Sequence, residues 1–179
     1  MKVIGLAGWS GAGKTTLLVK LIPLLRARGL TVSTLKHAHH AFDLDQPGKD
    51  SFEHRMAGAS EVLIASARRF ALMHELRDEQ EPSLAELLPR LSPVDLVLVE
   101  GFKREAHPKV EIHRSANEKP FLFGSVPNVV AVIADVPVPN FGGSVCDLND
   151  RNAAADMMVA CARPLDQVLG LLGHSDTIS

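Results

Sequence analysis

The chain has 179 residues, of which 46% are hydrophobic and 22% charged, and its formal net charge is −2. That length fits one domain with a substantial core, the apolar fraction excludes a disordered chain, and the near-balance of charge excludes a general electrostatic pull toward nucleic acid or an anionic membrane. Cys146 and Cys161 lie far from a CxxC spacing and no run reaches the ~18 apolar residues of a membrane span, so neither a disulfide scaffold nor a membrane protein is expected and a reducing cytoplasm fits.

In chain order, KVIGLA over 2–7 is a short apolar run and reads as a buried strand. A Gly-rich stretch follows where a signal peptide would need its apolar segment. Residues 14–28 have helical spacing, with Leu17, Leu18, Leu21, Leu24 and Leu25 on one face. Gly29 is the expected stop, and Pro23 is expected to kink or shorten the helix because it lacks the amide the hydrogen-bond ladder needs. TVSTLK at 31–36 reads as the second strand, and a short helix is expected over 52–59. EVLIAS at 61–66 and FALMHEL at 70–76 read as the two strands of a hairpin. Ser83 with Glu86 three positions on is a capping-box start for a helix carrying Leu84, Leu87, Leu88 and Leu91. VDLVLVEG at 94–101 is the clearest buried strand, KVEIHR at 109–114 and VVAVIAD at 129–135 are further strands, and Asp150 is the expected cap of a helix over 151–163. Strands alternating with helices predict an α/β fold with a mainly parallel sheet. One domain is expected over 1–179, with the hairpin inserted at about 61–76.

The residues Gly8-Trp9-Ser10-Gly11-Ala12-Gly13-Lys14-Thr15 fit G-x-x-x-x-G-K-[ST], between the first strand and the first helix. Glycines let successive backbone N–H groups point at one phosphate, and the helix that follows adds its own amides and the positive end of its dipole. Lys14 is placed to reach the β- and γ-phosphates and the Thr15 hydroxyl to bind Mg²⁺. The expected fold is therefore a P-loop NTPase-like three-layer sandwich, with Gly11, Ala12, Gly13, Lys14, Thr15 and Thr16 as nucleotide contacts. Glu100 ends the apolar strand LVLVE at the edge where ligands of open α/β sheets collect, and is the candidate metal-linked acid; Asp95 sits at the opposite end of that strand. Lys103 and Arg104 follow at the same edge and face either a phosphate, an acidic partner or water. The Trp9 indole is too large to lie under a phosphate and is expected to point outward.

LKHAHHAFDLDQPGKDS at 35–51 is the polar stretch after the second strand. A structural zinc site prefers four fixed ligands, and no cysteine is near His37, His39 and His40. Three readings compete, a structural zinc site, a solvated polar loop and a loop linked to substrate or Mg²⁺, and the acids and Lys49 favour the last because they suit phosphate and metal chemistry. On the last reading Asp45 is the first candidate for a water-mediated metal partner or water-orienting group, Asp43 the second, and Lys49 a contact for a phosphate of a nucleotide or pterin.

The GWSGAGKTTL loop, the KHAHHAFDLDQPGKDSFEHRMAGA block and the LVLVEGFK strand together resemble the molybdopterin-guanine dinucleotide biosynthesis adaptor family, MobB, over most of residues 1–135. The phosphate loop alone is shared by very many NTPases; the middle block is the specific part. The resemblance implies a dimeric GTP-binding protein with weak or no turnover, assisting the molybdenum cofactor guanylyltransferase that joins molybdopterin to GMP, with molybdopterin-loading enzymes as further partners. GTP and Mg²⁺ are the implied cofactors, and Asp45 and Glu100 the candidates for any slow hydrolysis. An Asn/Thr-Lys-x-Asp guanine signature is absent; the nearest carboxylate in a comparable place is Asp135, which suits the N1–H and N2–H donors of guanine. No familiar arginine finger stands out, with Arg68, Arg69 and Arg104 equally placed. An NTP-dependent small-molecule kinase and a metallochaperone GTPase using the histidines are the rival readings.

Overall fold

The computed structural model describes residues 1–38 and 42–173, so His39 and His40 lie outside the described residues. The chain divides into two compact units, one formed by Met1–His37 together with the chain from Leu84 onward, the other by Ala38–Ser83. In the first unit, β1 (Lys2–Ala7) leads through the glycine-rich loop into α1 (Lys14–Ala27) and then β2 (Val32–Lys36). The second unit holds α2 (Asp50–Met56) and the antiparallel pair β3 (Glu61–Ala65) and β4 (Phe70–His74). The first unit resumes with α3 (Leu84–Leu87), β5 (Leu96–Glu100), β6 (Lys109–His113), β7 (Val129–Ala134), β8 (Ser144–Asp147), α4 (Arg151–Cys161), β9 (Arg163–Pro164) and α5 (Leu165–Gly173).

The main sheet has the order β2-β5-β1-β6-β7-β8, all parallel, with β9 added antiparallel to β1. Leu6 pairs with Glu100, Ala7 with Glu111 and His113 with Ala134, so the carboxyl ends of β1, β5, β6 and β7 reach one edge of the sheet. On one face Leu17, Leu18, Leu21 and Leu25 of α1 and Ala154, Ala155 and Met158 of α4 pack on Ile4, Leu6, Leu98, Ile112 and Ile133. On the other, Leu84 and Leu88 with Val168 and Leu172 of α5 cover Val3, Val97 and Val99. Both faces are covered by helices, as an all-parallel arrangement requires.

Helix α1 runs through Pro23 without ending. The proline is exposed and the side chain of Val19, four residues earlier, is two-thirds exposed, so the carbonyl left without its amide partner lies on the water side. Its end is a complete Schellman motif: Gly29, at φ +83°, donates to the Arg26 carbonyl at 2.9 Å and Leu30 to the Leu25 carbonyl at 3.2 Å, with Leu30 folded onto the core. The helix expected to carry Leu84 through Leu91 is shorter than its periodicity suggests. It is one α-turn that tightens into a 3₁₀ turn at Leu88-Pro89-Arg90, since Pro89 cannot continue the ladder. Strands β8 and β9 and helix α5 were not expected from the sequence. Asp150 does cap α4, accepting from the Ala153 amide at 2.9 Å. No helix among the described residues is long and apolar enough to cross a membrane.

Strand β6 departs from the apolar norm for a strand buried on both faces. Lys109, Glu111 and His113 share the face of Val3 and are all buried. Each anchors irregular chain. Lys109 Nζ donates to the carbonyls of Glu105, His107 and Pro127; Glu111 accepts from the amides of Leu122 at 2.7 Å and Phe123 at 2.9 Å; and the His113 ring stacks on Phe121 with centroids 3.9 Å apart.

Candidate functional site

The loop between β1 and α1 begins where the buried strand ends and turns through Gly13, the N-cap of α1, at φ +89°. That left-handed conformation is strained for any residue with a Cβ, and the first amides of α1, which follow it, have no acceptor within the helix. The loop borders an open cavity of about 320 Å³ lined by Ser10, Gly11, Gly13, Lys14, Thr15, Thr16 and Glu100. Ala12, the remaining loop position, is buried beneath it. Lys14 Nζ donates to the carbonyls of Gly8 and Trp9, each at 3.0 Å, which holds the ammonium over the loop. Burial pushes its pKa down from the usual lysine value; Glu100 opposes that shift, and Lys103 and Lys36 add to it. The Thr15 hydroxyl donates to Glu100 Oε1 at 3.2 Å, and Lys36 Nζ lies 3.8 Å from Glu100 Oε2. Lysine, hydroxyl and carboxylate thus meet at one end of the sheet, because β1 and β5 are adjacent and in register there.

A segment after β6 grips the loop from its Ser10 side. Asn117 Nδ2 donates to the Ser10 carbonyl at 3.0 Å, and the Trp9 indole donates to the Pro120 carbonyl at 2.8 Å, with Lys103 Nζ 5.7 Å from the ring centre. Trp9 does point away from the phosphate cavity. Asp135, at the end of β7, accepts from the Ser115 amide at 2.7 Å and from its hydroxyl at 3.1 Å, one bond on each oxygen. The hydrogen bond from the Ser115 amide holds the Asp135 carboxyl below the usual aspartate range; burial opposes it, and the Ser115 hydroxyl and the nearby Arg114 add smaller lowering effects. Each oxygen keeps a second lone pair for another donor.

The remaining candidates belong to the second unit. Asp45 Oδ1 accepts from Ser51 Oγ at 2.8 Å and from the Gln46 amide at 3.0 Å, while Oδ2 is 3.6 Å from Arg55 Nε. Arg55 also holds Asp43 and Glu75, both at 2.8 Å, so one guanidinium organises three acids. Lys49 is the N-cap residue of α2 and is exposed. Among the described residues no group of three or more histidine, cysteine or acidic side chains is arranged to hold a metal ion. His37 stacks against Phe102 with centroids 4.7 Å apart.

Sequence reasoning missed the contributions of Lys36, Asn117 and Arg114. Lys36 and Arg114 had a usable signal, since each ends or follows a strand of the sheet near the loop; Asn117 comes to the loop only through the chain's path after β6.

Comparison with known proteins gives a consistent set of relatives. The family model described as MobB, molybdopterin guanine dinucleotide synthesis protein B, matches residues 3–135. The chain is 46% identical over 160 residues to the molybdopterin-guanine dinucleotide biosynthesis adapter protein of Escherichia coli strain K12, covering 88% of this chain and 91% of that one. It is 47% identical over 119 residues to the Haemophilus influenzae protein of the same description, covering 66% of each. Among solved structures, the MobB protein homolog from Bacillus stearothermophilus aligns with a TM-score of 0.66 at 27% identity, over 93% of this chain and 97% of that one. A crystal structure of molybdopterin-guanine biosynthesis protein B aligns at 0.68 and 26%, over 88% and 98%.

Proposed function

Because the chain belongs to the family of molybdopterin guanine dinucleotide synthesis protein B, we propose that it serves as an adapter in molybdopterin-guanine dinucleotide biosynthesis, working in the cytoplasm as a Mg²⁺-dependent GTP-binding protein. The observation that carries this reading is the meeting of Lys14, Thr15 and Glu100 around the loop cavity, with Thr15 and Glu100 already 3.2 Å apart. A hydroxyl and a carboxylate are hard oxygen donors, the set Mg²⁺ takes when phosphates and water complete its shell. Thr15 and Glu100 would hold the ion, which when bound neutralises charge on the phosphate chain. Lys14 holds the β- and γ-phosphates once its ammonium leaves the Gly8 and Trp9 carbonyls. Loop amides from Gly11 to Thr16 line the phosphate chain, and the spare lone pairs of Asp135 accept from guanine. Within the second unit, Asp45 is the proposed water-orienting acid and Lys49 the proposed phosphate contact.

The guanylyltransferase that makes the dinucleotide is the proposed partner, with molybdopterin-loading enzymes after it. Turnover is slow on this reading, since binding rather than hydrolysis is what an adapter requires. The unit is proposed to pair with a second copy through the hairpin, whose Leu63, Phe70 and Leu72 share one exposed face. Reconstitution tests the proposal: purified guanylyltransferase is given molybdenum cofactor, GTP and Mg²⁺, with and without this chain. Dinucleotide yield rises with the unaltered chain and not with Lys14→Ala. No stimulation by the unaltered chain contradicts the adapter role.

A further inference from the structure

Strand β2 lies at the edge of the main sheet beside β5, and its last residue, Lys36, pairs in register with Glu100. The His37 amide donates to the Glu100 carbonyl at 2.8 Å, so the ladder continues one residue past β2 and fixes the Lys36 backbone. Side chains alternate across a strand, and Val32 of β2 with Leu96 and Leu98 of β5 pack on the α1 face. Lys36 and Glu100, an even number of residues further on, share that face, where α1 begins with Lys14 and Thr15. The Lys36 ammonium lies 3.8 Å from Glu100 Oε2. That distance is longer than a hydrogen bond, and the Lys36 side chain is 61% exposed against 13% for Glu100. Such a contact adds little to the stability of the fold, so Lys36 can leave it at little cost.

More cations gather here than the one acid requires. After burial, the charges that act on Lys14 are Glu100, which raises its pKa, and Lys103 and Lys36, which lower it. Three ammonium groups around one carboxylate make a place that an anion completes. Lys103 is held aside, 5.7 Å from the centre of the Trp9 ring. Lys36 has no comparable restraint beyond its long contact with Glu100. We propose that Lys36 distinguishes a nucleoside triphosphate from a diphosphate, turning from Glu100 to the terminal phosphate when the triphosphate binds. The proposal rests on the nucleotide-binding reading above, which sets Thr15 and Glu100 beside the outer phosphates, and adds the residue that recognises the last of them. Once Glu100 serves the metal, its charge is no longer reserved for Lys36. A compact ammonium on a flexible stem can then follow the phosphate oxygens. A diphosphate gives Lys36 no new partner, and its contact with Glu100 persists.

Calorimetry with GTP and with GDP, both with Mg²⁺, on the unaltered chain and on Lys36→Met, Lys36→Arg, Lys103→Met and Lys14→Ala tests it. Lys36→Met keeps the apolar stem on an edge strand and leaves the core untouched. It lowers the preference for GTP over GDP about tenfold, the low end of the range for a hydrogen bond to a charged group, with GDP affinity within about twofold. Lys36→Arg keeps most of the preference because it keeps the charge. Lys103→Met removes the same charge from the side chain held on Trp9 and leaves the preference within about twofold. An unchanged preference in Lys36→Met, with Lys14→Ala still losing GTP, overturns the inference and leaves the phosphate loop standing. An equal fall in Lys103→Met makes the effect one of net charge and overturns it too. GTP affinity that survives Lys14→Ala sinks the underlying nucleotide-binding reading instead.

Discussion

Glu100 has two neighbours that act in the same direction. Thr15 donates to it and Lys36 lies within ion-pair distance, so both favour its charged form. Metal binding would draw on the carboxylate that now accepts from Thr15. Glu100→Gln is therefore expected to weaken GTP binding about tenfold when Mg²⁺ is present and by less when it is chelated; equal losses by calorimetry in both conditions would leave Glu100 a structural carboxylate. A different residue governs the response to acid. His107 is fully buried, neither ring nitrogen has a hydrogen-bond partner, and burial, with Lys109 nearby, pushes its pKa down to about 3 from 6.5. A depressed folded-state value means that the unfolded chain takes up the proton first. The contribution of neutral His107 is present above pH 6.5 and is lost as pH falls toward about 3. Urea midpoints measured across that window should fall with acid in the unaltered chain and fall less steeply in His107→Leu, whatever the absolute stability of the variant. Parallel slopes would assign the acid sensitivity elsewhere. Lys109, lowered to about 8 chiefly by burial, stays protonated at neutral pH and keeps its three carbonyl partners.

Helix α1 shows how an element survives a residue that local rules oppose. Four buried leucines hold one face and the Schellman turn at Gly29 fixes the end, while Pro23 falls on the wet side where a lost hydrogen bond costs least. Pro23→Ala restores one backbone bond and relieves the ring, against a smaller gain in unfolded-state entropy, so it should stabilise the protein by about 1 kcal/mol. A lower urea midpoint would show that the proline holds a bend the packing needs. The same element explains what could be read in advance. β1, β5 and β7 are continuous apolar runs with no competing interpretation, and the loop between β1 and α1 has a fixed spacing set by phosphate geometry. β8 could not be recognised so easily: SVCD is four residues long, lies at the sheet edge and leaves Val145 exposed. α5 had a signal in Leu165, Val168 and Leu172, but Pro164 before it and two glycines within it obscured the repeat. Within the site, Lys14, Thr15 and Glu100 were legible because each ends or follows an apolar strand. Asn117 was not, because its place depends on how the segment after β6 folds back over Ser10, which is a tertiary fact; Arg114 had a signal, since it follows the last residue of a strand next to β1.

At the scale of the molecule, the two units differ in how they bury apolar surface. The first has a sheet covered on both faces; the second rests on a two-stranded hairpin whose Leu63–Leu72 pair and Phe70 stay in water. An isolated hairpin is marginal and its edges invite pairing. The proposed dimer follows, and Leu63→Asp with Phe70→Asp should give the monomer mass by light scattering at micromolar concentration, where the unaltered chain gives twice that mass. A unaltered chain that is monomeric under those conditions would remove the pairing. The central claim, however, is that the loop binds a guanine nucleotide through Lys14, and calorimetric titration of GTP with Mg²⁺ into the unaltered chain and into Lys14→Ala tests it most directly. The account predicts one saturable GTP site per chain, weaker binding of ATP, and at least a tenfold loss of GTP affinity in the variant with its fold intact. Equal GTP affinity in the two proteins would contradict it.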